Sequence, residues 1–192
     1  MPIQQLKAVL LASFISSLTL FATAPAASAA QNVCEREMTR ASARYGVPVA
    51  ILYAVGLTET GRKGSLQPNA MNIEGKSYFA TSRGDAIRRF NEARRSGAKL
   101  IDLGCMQINH YFHRDQFPSL EAMLEPRTNV DYAARFLKTL KAREGSWTMA
   151  VARYHAGPNN NPAQKRYICA VITNLVATGF GSWTPRSKSF CR

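Results

Sequence analysis

The chain has 192 residues, 46% hydrophobic and 19% charged, with 25 Lys and Arg against 12 Asp and Glu for a formal charge of +13. A length of this order is that of one compact domain with one core and leaves no need for a second. Such a basic excess narrows polymeric partners to anionic ones: nucleic acid, an anionic envelope polymer or a membrane surface.

The first thirty residues carry one charge, Lys7, followed by an apolar run from Ala8 to Ala22 and the small residues Ala26-Ala27-Ser28-Ala29-Ala30. That order reads as a signal peptide. The run is broken by Ser13, Ser16, Ser17 and Thr19, and at about 15 residues it falls short of the roughly 20 that a spanning helix needs. Cleavage after Ala29 or Ala30 is therefore expected, with residues 1–30 as leader and 31–192 as one exported domain without stable membrane insertion. An uncleaved N-terminal anchor is the alternative. Loss of the leader removes only Lys7 from the 25 basic residues, so 24 face 12 acidic ones and the charge becomes +12.

From the N-terminus onward, Cys34, Met38, Ala41 and Tyr45 fall at helical spacing and Gly46 closes the segment, which predicts an amphipathic helix over 34–45. Pro48 opens a second helix to Thr60 that is apolar nearly all round, so it should be buried; Glu59 is its only charge. Residues 70–73 and 76–79 look like two short strands around Glu74-Gly75. Ser82 can cap a following basic helix that ends at Gly97, whose arginines read as a solvated face. Thr128 and Asp131 resemble a capping arrangement for a helix reaching Gly145, Ser146 starts another that Gly157-Pro158 ends, and Pro162 opens a last long one. Its stripe of Tyr167, Ile168, Val171, Ile172, Leu175 and Val176 faces the core, and the tail from Gly179 is expected as loop. The fold class is mainly α (α+β), with one small β hairpin.

All four cysteines, Cys34, Cys105, Cys169 and Cys191, lie beyond the leader. In an oxidising compartment an even count reads as two disulfides, with three connectivities open. No Cys-x-x-Cys pair offers zinc-ligand spacing, and His110-x-x-His113 has no third ligand at a recognisable distance, so no metal or other cofactor is expected. The carboxylate of Glu59 is the most informative feature. Burial and the negative end of a helix both disfavour its charged form, and a raised pKa suits a general acid at neutral pH. The competing reading makes Glu59 the polar edge of the helix's last turn.

Two further segments, Gly104-Cys105-Met106-Gln107-Ile108-Asn109 and Arg153-Tyr154-His155-Ala156-Gly157-Pro158, follow Glu59-Thr60 in order. Together the three resemble the motifs of lytic transglycosylases related to goose-type lysozyme: Glu-Ser on a buried helix, Gly-Leu-Met-Gln, and Ala-Tyr-Asn-Ala-Gly. The resemblance runs from about Cys34 to Tyr167, and the stretches 69–75 and 101–104 bring it closest to the small exported enzymes associated with secretion systems, pili or flagella. It implies a lysozyme-like fold and a peptidoglycan-cleaving lyase in which Glu59 is acid and then base, Gln107 walls the cleft, and the Tyr154 hydroxyl orients the Glu59 carboxyl. Thr60, Met106 and His155 join Gln107 and Tyr154 as expected substrate-binding positions. Thr60 keeps the hydroxyl of the usual Ser, His155 replaces Asn, and Arg153 replaces a small residue. Cys105 in place of Leu points to a disulfide at the motif, and the expected pairs are Cys34 with Cys105 and Cys169 with Cys191, each worth about 2–4 kcal/mol.

A retaining glycosidase needs a second carboxylate about 5 Å from the acid, and an inverting one a base at roughly 6.5–9.5 Å. Only Glu74 and Asp102 are nearby in the chain, and each reads as a turn or capping residue. The resemblance implies a mechanism that needs neither, in which the sugar's own 6-hydroxyl is the nucleophile and the product is a 1,6-anhydro ring. Peptidoglycan is then the partner, with a secretion, pilus or flagellar assembly as a further one. The expected form is a periplasmic monomer that binds no nucleic acid. The alternatives are a hydrolytic muramidase of the same fold, and a silent glycan-binding component of an envelope machine.

Overall fold

A computed structural model describes residues 32–192; the leader expected over 1–30 lies outside the described residues. Nine α-helices and four strands are found there: α1 (Val33–Tyr45), α2 (Val49–Thr60), β1 (Ala70–Ile73), β2 (Lys76–Phe79), α3 (Arg83–Arg95), β3 (Ile101–Leu103), β4 (Ile108–Asn109), α4 (His110–His113), α5 (Leu120–Leu124), α6 (Pro126–Glu144), α7 (Trp147–His155), α8 (Asn161–Ala177) and α9 (Pro185–Phe190). None of the described helices is long and apolar enough to cross a membrane.

The helix α2 is the axis of the fold. Having apolar residues all round, it is not stable against water on any face, and it packs between α1 and α8, while α6 covers α1 and α7. Leu52, Ala54 and Val55 are fully buried in it. Gly56 lets neighbouring chains close in: a Cβ there would collide with Met38 of α1 and stand 3.0 Å from Leu66 Cδ2. As expected, Gly46 ends α1 in the left-handed conformation, and the Ser82 hydroxyl caps α3 by accepting from the amide of Asp85.

The sheet is larger than the single hairpin expected. Its order is β2-β1-β3-β4, all antiparallel, because Ile101–Leu103 pairs with β1 and Ile108–Asn109 folds back on β3. Strands of three and two residues are too short to show an alternating pattern, and they flank a turn that holds the Gln107 motif. The tail differs as well: Thr184 and Ser187 form a reciprocal cap for α9, where loop was expected. Thr128 does not cap α6, which begins at Pro126; Asp131 instead receives Arg40 at 2.6 Å from α1.

On α3 the arginines are partly paired as a solvated face: Arg88 and Arg89 meet Asp85, and Arg83 reaches Glu125 at 2.6 Å. Both disulfides pair as expected, Cys34 to Cys105 and Cys169 to Cys191, with Cα separations of 5.7 and 5.6 Å. The first spans 71 positions and the second 22, so chain entropy assigns them about 4 and about 3 kcal/mol. Urea denaturation of Cys34→Ala/Cys105→Ala and of Cys169→Ala/Cys191→Ala should show the first pair losing more. Equal losses would mean that the linked segments are already restrained in the unfolded chain.

Candidate active site

Glu59 sits in the last turn of α2 and opens onto a cleft of about 320 Å³. From β1, β3 and β4 come Asn72, Asp102, Ile108 and Asn109; the turn between β3 and β4 supplies Gln107, and α7 supplies Tyr154 and His155. Phe112, His113 and Phe136 close the far wall. The three sequence motifs, distant along the chain, therefore meet at one place.

Burial pushes the Glu59 carboxyl up to about 8, opposed by a hydrogen bond from Tyr167 and assisted by the negative field of Asp102. That bond, Tyr167 hydroxyl to Glu59 Oε1 at 2.5 Å, crosses from α8. Next to it, Asn174 Nδ2 donates to Thr58 Oγ1 at 2.9 Å, so α8 fixes the end of α2 twice. The role expected of Tyr154 thus belongs in geometry to Tyr167. Tyr154 donates to the carbonyl of Met106 at 2.8 Å, which braces the motif turn while its ring still faces the cleft. Tyr167 was concealed among the apolar residues of the last helix's stripe, where a tyrosine reads as core.

Gln107 lines the cleft in a left-handed conformation, φ 45°. Its Nε2 donates to the carbonyls of Ala70 at 2.9 Å and Gly104 at 3.0 Å. Both neighbours are acceptors, so the nitrogen must face them and Oε1 is the atom the side chain offers to a ligand. Thr60 and Met106, expected to bind substrate, are covered instead. Met106 is fully buried, and Thr60 is 3% exposed with its hydroxyl donating to the carbonyl of Gly56 at 3.1 Å and reaching that of Cys105 at 3.4 Å. Both hold the two motifs together from behind the cleft wall.

Asn129 is a residue that sequence reasoning missed. It is fully buried on α6; its Oδ1 accepts from the Met106 amide at 2.9 Å, and its Nδ2 donates to the carbonyls of Leu103 and Met123, both at 2.9 Å. Gly104, at φ +77°, has no Cβ because one would stand 2.7 Å from Asn129 Nδ2.

The two spare carboxylates separate cleanly. Glu74 is the turn residue expected: at φ 49° it accepts from the amides of Lys99 and Leu100 at 2.7 and 2.9 Å, which lowers its pKa, and it does not line the cleft. Asp102 is neither turn nor cap. It lies on β3 opposite Asn72 and Asn109, accepts from Asn109 Nδ2 at 2.7 Å, and is raised in pKa by burial. Its strand places it in the same cleft as Glu59.

The histidines diverge. His110 meets Phe90 edge to face at 4.6 Å, and His113 Nδ1 pairs with the Tyr132 hydroxyl at 2.8 Å; burial keeps both low in pKa. His155 lies flat on the ring of Tyr167, 4.2 Å between centroids and 3° between planes. Arg153, whose sequence position suggested nothing, leaves the site: it approaches Glu144 of α6 at 3.3 Å and the Gly157 carbonyl at 3.5 Å.

Compared with known families, residues 37–170 match the one described as "Transglycosylase SLT domain", a span that holds Glu59, Gln107, Tyr154 and Tyr167 together. No curated protein and no solved structure matches the chain.

Proposed function

The chain belongs to the transglycosylase SLT domain family, whose members are peptidoglycan lytic transglycosylases, and from that premise we propose that Glu59 cleaves the β-1,4 bond between N-acetylmuramic acid and N-acetylglucosamine without water. The observation that carries this reading is the Glu59 carboxyl itself, held up to about 8 by burial while it faces a cleft and receives the Tyr167 hydroxyl. A carboxyl of that pKa is mostly protonated at neutral pH and still gives up its proton readily.

In the first step Glu59 gives its proton to the glycosidic oxygen as the bond from C1 to that oxygen breaks, and the muramic acetamido group stabilises the cationic centre. Next the 6-hydroxyl of the same sugar attacks C1 and its proton passes to the Glu59 carboxylate. Protons balance over the cycle and the acid is restored. Because the nucleophile is already part of the substrate, orientation does the work that a bound water would otherwise do. Gln107 Oε1 and Tyr154 are the proposed substrate contacts beside it, and Phe112, 67% exposed, gives the wall an apolar face for the sugar rings. A net charge of +13 favours encounter with an anionic polymer. Two disulfides accord with an exported protein, and the periplasm is the proposed site of action. Service to a secretion, pilus or flagellar assembly is proposed on the motif resemblance alone.

Asp102 favours a second reading. A second carboxylate in the same cleft is what a muramidase would use to direct water, and the half-buried Asp102 is one. The products decide between them. Mass spectrometry of a peptidoglycan digest should show muropeptides ending in 1,6-anhydro-N-acetylmuramic acid, lighter by one water and resistant to borohydride. Digests dominated by reducible ends would transfer the assignment to the muramidase, with Asp102 as base.

A further inference from the structure

Beside the Glu59 and Tyr167 pair lies a ring that the proposed chemistry does not use. His155 is the last residue of α7 and is exposed, yet it covers one face of Tyr167, which is only 5% exposed. Its ring is nearly coplanar with the phenol at 4.2 Å, and the loop just after it is fixed: Gln164 Nε2 donates to the Gly157 carbonyl at 2.5 Å and Arg153 reaches the same oxygen at 3.5 Å. The plate is therefore held from α8 and from its own helix, at the mouth of the cleft.

We propose that His155 is a positioning residue which acts through Tyr167: its ring shields the hydrogen bond from Tyr167 to Glu59 from water and holds the phenol in the side-chain rotamer that aims its hydroxyl at Oε1. A hydrogen bond in a dry, low-dielectric setting is stronger than the same bond in competition with solvent. Stacked aromatic faces also resist the swing about the Cα–Cβ bond of Tyr167 that would carry the hydroxyl away from Oε1. The shape of the ring carries this role, whereas a sugar contact would depend on the imidazole nitrogens. The charged groups around the stack are Glu59, bonded to Tyr167, and Arg166, next to Tyr167 on α8, while Arg153 on the helix of His155 is turned to Glu144 and Asp102 lines the same cleft.

This inference rests on Glu59 being the acid, and its test has one arm that needs no activity. In solution NMR of the mature protein near neutral pH, the Tyr167 hydroxyl proton should appear as a protected downfield signal, assigned by its loss in Tyr167→Phe. His155→Phe should keep that signal, while His155→Ala should speed its exchange with water by about tenfold or more as the phenol face opens to solvent. His155→Asn serves as a second ring-removing variant should the alanine protein fail to fold. Unchanged exchange in the ring-removing variants would overturn the proposal.

The second arm is a kinetic cycle on peptidoglycan. His155→Ala should lower kcat by about tenfold with KM within about twofold, His155→Phe should restore it, and in a Tyr167→Phe background the same substitution should cost almost nothing further. Losses that multiply in the double variant, or that fall on KM and are not rescued by Phe, would make His155 a sugar contact and overturn the inference. Should the wild-type protein yield reducible ends or no products, the functional reading fails, and the hydroxyl proton alone decides the role of His155.

Discussion

Glu59→Gln is expected to give a folded protein whose cleavage of peptidoglycan is reduced on the order of 10³ to 10⁴-fold, the scale of a lost general acid. The amide has nearly the shape of the protonated carboxyl and can still accept from Tyr167, whose hydroxyl lies 2.5 Å from Oε1, but it has no proton to deliver. Wild-type activity should in turn fall as pH rises through about 8, where Glu59 loses its proton. Stability follows the same group with a definite sign. Its folded pKa lies above the unfolded value of 4.5, so between about 4.5 and about 8 the folded state binds more protons than the unfolded one and stability declines as pH rises. The Gln protein lacks that decline. Its unfolding midpoint should equal the wild type's near pH 4 and exceed it increasingly up to pH 8. Full activity in the folded variant would end the assignment of Glu59, and an unchanged difference in midpoint across that range would show that the carboxyl is not desolvated.

The prominence of Glu59 in the sequence had a physical cause: a single charge in an otherwise apolar helix has either a solvent edge or a chemical task. Helices were legible wherever caps and periodicity agreed, as at Gly46 and Ser82. What the pattern hid were the short elements and the cross-chain bonds. Asp102 lies in a strand of three residues, where a run so brief has no readable face. Tyr154 and Tyr167 stand on successive helices, and nothing in their spacing tells which hydroxyl meets Glu59; the motif favoured Tyr154, but packing of α8 on α2 brings Tyr167 there. Thr60 and Met106 were motif members whose part is to join α2 to the Gln107 turn from the inside. A motif marks the residues that build a site without separating those that touch substrate from those that hold the ones that do.

Asn129 is where that second kind of residue should matter most. Asn129→Leu is expected to cost about 3 to 5 kcal/mol in urea denaturation, more than surface substitutions cause. Leucine keeps the branched shape but is larger, so no cavity forms and overpacking at this fully buried position adds to the loss; the rest comes from the Met106 amide and the Leu103 and Met123 carbonyls, three backbone groups that Asn129 joins at 2.9 Å each. Each buried group left without a partner costs about 1–3 kcal/mol, partly recovered if water enters or the turn shifts. Such a shift would not be neutral for function, because the same turn carries Gln107 at φ 45° and the Met106 carbonyl that receives Tyr154. Activity of the variant, measured at a temperature where it is still folded, should therefore fall as well, with KM raised as Gln107 leaves its place. Thr128→Ala, one position earlier and inside the first turn of α6, is the control and should change stability by no more than about 0.5 kcal/mol. A folded Asn129→Leu protein with wild-type stability and KM would mean that the turn is held by the Cys34–Cys105 bond and the β3–β4 pairing without it.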